Sequence, residues 1–128
     1  MAKTILVVDD SDTLRQVVSI ALKGAGYDVI EARDGKDALS KLTGLRVNLI
    51  ISDVNMPNMD GITLVKEVKK LGAYKFTPII MLTTETQEEK RREGQAAGAK
   101  AWVVKPFKPE QMVDRAKMGE IQDTQWRL

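Results

Sequence analysis

The chain has 128 residues, of which 43% are apolar and 30% charged, and it contains neither cysteine nor histidine. This length fits one domain with its own core, while the missing residue types exclude disulfides, thiol chemistry, histidine-based triads and a phosphohistidine on this chain. The net charge is only +2 and the basic residues are scattered, so we expect no nucleic-acid interface, and apolar runs of about four residues predict no membrane span.

Five short apolar runs alternate with segments of helical period. The runs occupy residues 4–8, 27–32, 47–52, 78–83 and 101–104. Several of them are apolar at every position, as in strands buried on both faces of a parallel sheet, whereas the second run alternates like an edge strand. The pattern predicts an α/β fold, a doubly wound (βα)5 domain with a five-stranded parallel sheet that is covered by helices.

Start signals mark several of the intervening helices. The first predicted helix begins after Ser11, the third after Asp60 and the fifth at Pro109. The predicted apolar stripe of the first helix consists of Leu14, Val17, Val18, Ala21, Leu22 and Ala25. The fourth has a capping-box sequence at residues 86–89 but almost no apolar stripe, so we expect it to be weakly packed. In the fifth helix an apolar stripe starts but is broken from about residue 117, and the remaining tail matches no expected pattern.

Polar residues follow the predicted strands where a doubly wound sheet holds its ligands, outside the carboxyl ends of the strands. Asp9 and Asp10 follow the first strand, Asp53 the third and Lys105 the fifth, and Thr83 ends the fourth. Three carboxylates in one pocket raise pKa values unless a cation is present, and Mg²⁺ prefers such oxygen ligands. With a hydroxyl and an ammonium group added, the set predicts a cradle for a phosphoryl group in which a carboxylate can be the nucleophile.

Each of these residues has a simpler interpretation when it is considered alone. Asp10 before Ser11 could be a turn or cap residue, Asp53 could belong to the turn that follows it, and Lys105 could be a surface lysine. Their conjunction favours the phosphoryl site, because four strand ends carry the residue types that one such site needs.

Four motifs in this order resemble the receiver domain of two-component response regulators, and the likeness is greatest to CheY-like single-domain chemotaxis regulators. The motifs are Val-Val-Asp9-Asp10-Ser, Asp53-Val-Asn-Met-Pro-Asn-Met-Asp-Gly61, Leu-Thr83-Thr and Lys105-Pro-Phe107. The resemblance implies the flavodoxin-like strand order 2-1-3-4-5. Residues 1–128 would then form a single receiver domain with an atypical C-terminal tail from about residue 117.

The resemblance also implies roles for the acidic residues. Asp53 would be the phosphoacceptor, taking a phosphoryl group from a histidine of a partner kinase. Asp10 and Asp53 would bind Mg²⁺ directly together with the backbone carbonyl of Asn55, while Asp9 would act through a metal-bound water. Asn55 and Glu85 would tune the attack of water on the acyl phosphate, so self-dephosphorylation should be fairly quick.

Four further residues complete the site that the resemblance implies. Lys105 would pair with the phosphoryl oxygens, Thr83 would hydrogen-bond one of them, and the bond before Pro106 would be cis. Trp102 falls at the position of the family's switch aromatic residue. Phosphorylation adds about −1.5 to −2 charges, and as Thr83 follows the new oxygens, Trp102 would turn inward and change the face formed by the fourth helix, the fifth strand and the fifth helix.

The partners follow from the same resemblance. We expect a chemotaxis-type histidine kinase as phosphodonor and a flagellar motor switch protein, or another target, at the output face, with a phosphatase as an optional further partner. The chain would be a cytoplasmic monomer and a binding switch instead of an enzyme, although it would catalyse its own phosphorylation from a phosphodonor and its own dephosphorylation.

Two other interpretations stay open. A phosphorelay shuttle would use the same site and pass the phosphoryl group to a second histidine protein. A Mg²⁺-dependent phosphatase of the haloacid-dehalogenase type also uses an aspartate nucleophile, but its opening motif requires Thr or Val where this chain has Leu14.

Overall fold

The computed structural model describes residues 3–83, 88–105 and 107–121, in which strands and helices alternate as predicted. The strands are β1 (Thr4–Val8), β2 (Asp28–Ala32), β3 (Leu49–Asp53), β4 (Ile79–Thr83) and β5 (Ala101–Val104). The helices are α1 (Asp12–Gly24), α2 (Gly35–Lys41), α3 (Gly61–Lys70), α4 (Glu88–Ala97) and α5 (Pro109–Ile121), with a 3₁₀ turn at Gly72–Tyr74.

The five strands form one parallel sheet in the order β2-β1-β3-β4-β5, which confirms the predicted order. β2 is an edge strand, as its alternating sequence predicted, and its side chains are mostly half-buried, whereas β3 and β4 are buried throughout. The chain reverses its winding direction between β1 and β3, which lie side by side. The carboxyl ends of these two strands therefore form the crevice in which such sheets bind ligands.

Successive residues of each strand face opposite sides of the sheet, and each side has its own core. On one side, Leu6 and Ile50 pack with Leu64 and Val68 of α3. On the other side, residues of β1 and β4 pack with α1 and α5, including the fully buried Met112. The central strands β1, β3 and β4 are mostly apolar because both of their faces are covered.

Side-chain caps begin three of the helices. The Ser11 hydroxyl accepts a hydrogen bond from the Leu14 backbone N–H at 3.3 Å, and Asp60 Oδ1 accepts one from the Thr63 N–H at 2.7 Å. Both caps were predicted. A third cap, at Asp34 before α2, was not predicted from the sequence. These caps satisfy backbone donors that have no partner within the helix.

Two helices differ in how well the apolar pattern described their packing. In α1 the predicted stripe included Val17, which is 41% exposed, while Ser19 is buried. Among the α4 residues whose burial the structure describes, only Gly94 is buried, which agrees with the predicted weak packing. Among the described residues, no helix has the length and apolar character needed to cross a bilayer.

Candidate functional site

The carboxyl ends of three strands bring an ammonium group and two carboxylates into contact. Asp9 follows β1, Asp53 is the last residue of β3, and Lys105 follows β5. Lys105 Nζ lies 3.3 Å from Asp53 Oδ2 and 3.4 Å from Asp9 Oδ2. Residues that are 44 and 96 positions from Asp9 in sequence therefore meet at one point, as the positions at the strand ends predicted.

The site is buried at its base and open at its edge. Asp9 is 1% exposed and Asp53 5%, and the side chain of Lys105 is 15% exposed. Asp10, in contrast, is exposed to solvent. Solvent therefore reaches the cluster on the side of Asp10, which is where an ion or a phosphodonor can approach.

Three aspartates at this position fit a divalent cation. Asp9, Asp10 and Asp53 each offer one carboxylate oxygen, and these oxygens lie within 4.8 Å of one another. The single ammonium of Lys105 leaves two of the three negative charges unbalanced. Carboxylate oxygens with open solvent access are the donors that Mg²⁺ takes, together with waters and phosphate oxygens. The residues present thus fit the ion that the sequence predicted.

The electrostatics of Asp53 point the same way. Burial raises the pKa of its carboxyl above the ordinary value of 3.8, the charges of Asp9 and Asp10 raise it further, and Lys105 opposes these effects. The ionised form of Asp53 is therefore destabilised in the folded protein, and a bound cation would offset this destabilisation.

Asp9 is held in place by contacts that the sequence analysis missed. Its Oδ1 accepts a hydrogen bond from the Ser11 N–H at 2.9 Å, and its backbone carbonyl accepts one from Arg15 Nη1 at 2.6 Å. Arg15 also pairs with Asp12 and, at 3.1 Å, with Glu31 of β2. The spacing of three residues between Asp12 and Arg15 was the one local signal for this clamp.

The motif from Asp53 to Gly61 is a tight connection between β3 and α3. A Cβ atom at position 61 would lie 2.2 Å from the backbone oxygen of Asp53, so only glycine fits there. The Gly61 N–H donates to the Val54 carbonyl at 2.9 Å. Asn58 adopts a positive φ of 70°, and its side chain donates to Asp34 at 3.1 Å. The backbone of Asp53 is thereby fixed against the start of α3.

The remaining predicted residues lie around this cluster or outside the described chain. Thr83 is buried at the end of β4, and its backbone carbonyl accepts a hydrogen bond from the Lys105 N–H at 2.6 Å. Asn55 is exposed in the connection after β3. Glu85 and Pro106 lie outside the described residues, so their predicted roles, including the cis bond, stay predictions.

The indole of Trp102 is buried, at 8% exposure, within the core on the α3 side of the sheet. The physical reason lies in α4, where Gly94 has no side chain and its Cα faces the indole. The ring occupies the space that a side chain at position 94 would fill. Its inward turn on phosphorylation stays a prediction.

Comparisons with known proteins identify the family of this chain. The family model described as response regulator receiver domain matches residues 5–117. The chain is similar to the chemotaxis protein CheY1 of Helicobacter pylori, with 39% identity over 116 residues that cover 89% of this chain and 94% of that protein. It is also similar to the protein PilG of Pseudomonas aeruginosa, with 36% identity over 113 residues that cover 88% of this chain and 84% of that protein.

A solved structure gives the same picture in three dimensions. The chemotaxis protein CheY4 of Vibrio cholerae superposes with a TM-score of 0.88 at 51% identity, and the match covers 91% of this chain and 98% of that one.

Proposed function

The chain belongs to the family of response regulator receiver domains, and from this premise we propose that it is a signalling switch that is activated by phosphorylation of Asp53. The observation that carries the proposal is the meeting of Asp9, Asp10 and Asp53 with Lys105 at the carboxyl ends of the strands. Such a group of carboxylates with one fixed ammonium is suited to phosphoryl transfer, which needs positioning and charge stabilisation.

The chemical step is a transfer between two molecules. A carboxylate oxygen of Asp53 forms a bond to phosphorus while the P–N bond of a phosphohistidine on the donor kinase breaks, and the imidazole nitrogen leaves with the bonding electron pair. The product on this chain is an acyl phosphate. These 128 residues contain no histidine, so the donor histidine lies outside them.

The other residues support this step by binding and orientation. Asp10, Asp53 and the backbone carbonyl of Asn55 would hold Mg²⁺, with Asp9 acting through a water, and the ion when bound would neutralise charge on the phosphoryl oxygens. Lys105 is already within ion-pair distance of Asp53, so it can exchange its carboxylate partners for phosphoryl oxygens. The Thr83 hydroxyl would hydrogen-bond another of these oxygens.

The same residues would also limit the lifetime of the signal. We propose that Asn55 and Glu85 tune the attack of water on the acyl phosphate, so that the chain catalyses its own dephosphorylation. Asn55 is exposed near the acceptor, where it can contact incoming water.

The output that we propose is in chemotaxis. Two similar proteins are named as chemotaxis proteins, and each matches nearly its full length to this chain. The target, for which we propose a flagellar motor switch protein, would bind the face of α4, β5 and α5. A chemotaxis-type histidine kinase would be the donor, a phosphatase a further partner, and the cytoplasm the compartment.

The test uses Mg²⁺ and acetyl phosphate as a small phosphodonor, with intact mass and tryptophan fluorescence as readouts. We expect the mass increase of one phosphoryl group in the parent chain and none in Asp53→Asn. The matched control is Asp28→Asn, the same change at an exposed residue of β2, and it should be labelled like the parent.

Two results would overturn parts of the proposal. Labelling that survives in Asp53→Asn would refute the acceptor, and labelling that does not depend on Mg²⁺ would refute the metal site. Return of the phosphoryl group to a second histidine protein, without binding to a motor switch peptide, would favour the phosphorelay shuttle.

A further inference from the structure

We propose that Gly94 of α4 is a positioning residue for Trp102. Because residue 94 has no side chain, the indole lies buried beneath α4, and the contact between the two residues sets where α4 lies on the sheet. The inference rests on the proposed function only for its link to signalling, since the contact itself needs no phosphoryl group.

The geometry of the contact is specific to glycine. A Cβ atom at position 94 would lie 2.6 Å from Cζ3 of Trp102, 3.4 Å from Cε3 and 3.5 Å from Cη2. All three atoms belong to the six-membered ring of the indole. Carbon atoms in favourable contact lie about 3.5–4.0 Å apart. A methyl group at position 94 would therefore overlap the ring, and either the helix or the indole would have to move.

Glycine is an unfavourable residue at position 94, inside a helix. Glycine in a helix interior is unfavourable relative to alanine, and Gly94 lies well inside α4 (Glu88–Ala97). It is also the one buried residue among the α4 residues whose burial the structure describes. The close packing against Trp102 is a reason for glycine that does not depend on a turn or a special backbone conformation.

Residues 94 and 102 thus form a pair of complementary size. The ring of Trp102 packs in the same core as Met81, with the partly buried Ala97 of α4 against it. The other described side chains of α4 are exposed or half-buried, so the helix has few further contacts that hold it on the sheet. A small change at the ring can therefore shift the whole helix.

This arrangement connects Trp102 to the proposed output face. Because α4 is part of that face and contacts the indole at Gly94, a movement of the ring would displace α4.

The first experiment measures shielding of the ring directly. Trp126→Phe leaves Trp102 as the one tryptophan, because the chain has two. Acrylamide quenching of its fluorescence should be weak in this background, should rise several-fold in Gly94→Ala, and should stay unchanged in Gly24→Ala. Gly24 is the matched control, since a Cβ added to this helical glycine has nothing within 4 Å. Strong quenching in the Trp126→Phe parent would overturn the inference.

The second experiment compares Gly94→Ala in two backgrounds by thermal unfolding. With Trp102 present, the substitution should lower Tm because the methyl group overlaps the ring. In a Trp102→Leu background it should raise Tm, because alanine favours the helix and the obstacle is gone. A change of the same sign in both backgrounds would overturn the inference. If Gly94→Ala does not fold with Trp102, folding of the double variant is the expected rescue, and its failure would refute the contact.

Intact-mass labelling with acetyl phosphate separates this inference from the proposed function. A chain that is labelled at Asp53 but lacks the sign reversal refutes the role of Gly94 alone. A chain that shows the sign reversal but takes no label refutes the proposed function alone.

Discussion

The hydroxyl of Ser19 lies in the interior of α1 at 2% exposure, and its Oγ has no hydrogen-bond partner among the described residues. A buried donor without a partner costs about 1–3 kcal/mol, and alanine is also the better helix former. We therefore expect Ser19→Ala to raise the free energy of unfolding by about 1 kcal/mol. Urea denaturation at neutral pH measures this change.

Ser40 of α2 is the matched control for that prediction. Its Oγ donates to the Asp37 carbonyl at 2.7 Å and it is exposed, so Ser40→Ala removes a hydrogen bond and relieves no buried hydroxyl. We expect a change within about 0.5 kcal/mol. An equal gain at both positions would show that helix propensity alone accounts for the effect.

Gly61 has no room for a side chain. A Cβ atom would lie 2.2 Å from the Asp53 carbonyl oxygen and 2.6 Å from Cε of Met81. The methionine can move, but the carbonyl belongs to the end of a buried strand. We expect Gly61→Ala to lower the free energy of unfolding by about 1–3 kcal/mol. Gly24→Ala should leave it nearly unchanged, and equal losses at the two glycines would contradict the steric account.

Residues within the sequence motifs were predictable, while residues outside the motifs were not. Gly61 was quoted in a motif because its neighbours in sequence define the turn. Gly94 belongs to no motif, and the one local signal for Arg15 was its spacing from Asp12. Their partners Trp102 and Glu31 are brought to them by the packing of α4 and the pairing of β2.

At the scale of elements, the cap of α2 connects two loops of the molecule. Asp34 Oδ1 accepts a hydrogen bond from the Asp37 N–H at 2.8 Å, and its Oδ2 accepts one from Asn58 at 3.1 Å. Loss of a cap costs about 0.5–2 kcal/mol. We expect Asp34→Ala to lower the free energy of unfolding by about 1 kcal/mol at pH 7.

The same cap predicts a pH dependence. The hydrogen bonds from the Asp37 N–H and from Asn58 lower the pKa of Asp34 below its ordinary value of 3.8. The stabilisation is therefore present above that value and is lost as the pH falls through the lower pKa of the folded state. The difference between the parent and Asp34→Ala should shrink below about pH 4. Asp34→Asn caps the helix without titrating, so its stability relative to Asp34→Ala should not fall with pH. A difference between the parent and Asp34→Ala that stays constant with pH would contradict the prediction.

The positions of the helices and strands were largely predictable from the sequence, but the buried faces of the helices were less predictable. Caps at Ser11 and Asp60 are local, so the starts of α1 and α3 could be inferred from short sequences. The buried face of α1 is set by β2 and by α5, and α5 lies far from α1 in sequence. Periodicity alone therefore assigned Val17 to the core and overlooked Ser19.

At the scale of the whole molecule, the order of the strands creates the site. Placing β1 beside β3 brings Asp9 and Asp10 to Asp53, and β5 brings Lys105 from the far end of the chain. Runs of apolar residues predict strands but not their neighbours, so the strand order came from the resemblance of the motifs. Folding gathers like charges here at a cost in stability.

That cost leads to a prediction for Asp53→Asn in the absence of Mg²⁺. Burial and the charges of Asp9 and Asp10 raise the pKa of Asp53, so the folded chain binds its proton more tightly than the unfolded chain does. The contribution of Asp53 to stability is then most favourable below the ordinary pKa of 3.8 and falls as the pH rises through the raised value. Asp53→Asn should raise the free energy of unfolding by about 1 kcal/mol at pH 7 and by much less at about pH 4.

Addition of Mg²⁺ should make the parent more stable than Asp53→Asn. A ligand that binds only the folded state stabilises it by about 2.7 kcal/mol at a concentration of 100 Kd. Asp53 supplies one of the three carboxylates, so the Tm of the parent should rise with Mg²⁺ while that of Asp53→Asn rises much less. Asp28→Asn, whose change lies at an exposed position of β2, should respond like the parent. Thermal unfolding across a Mg²⁺ titration measures all three chains, and an equal response in Asp53→Asn would show that the ion binds elsewhere.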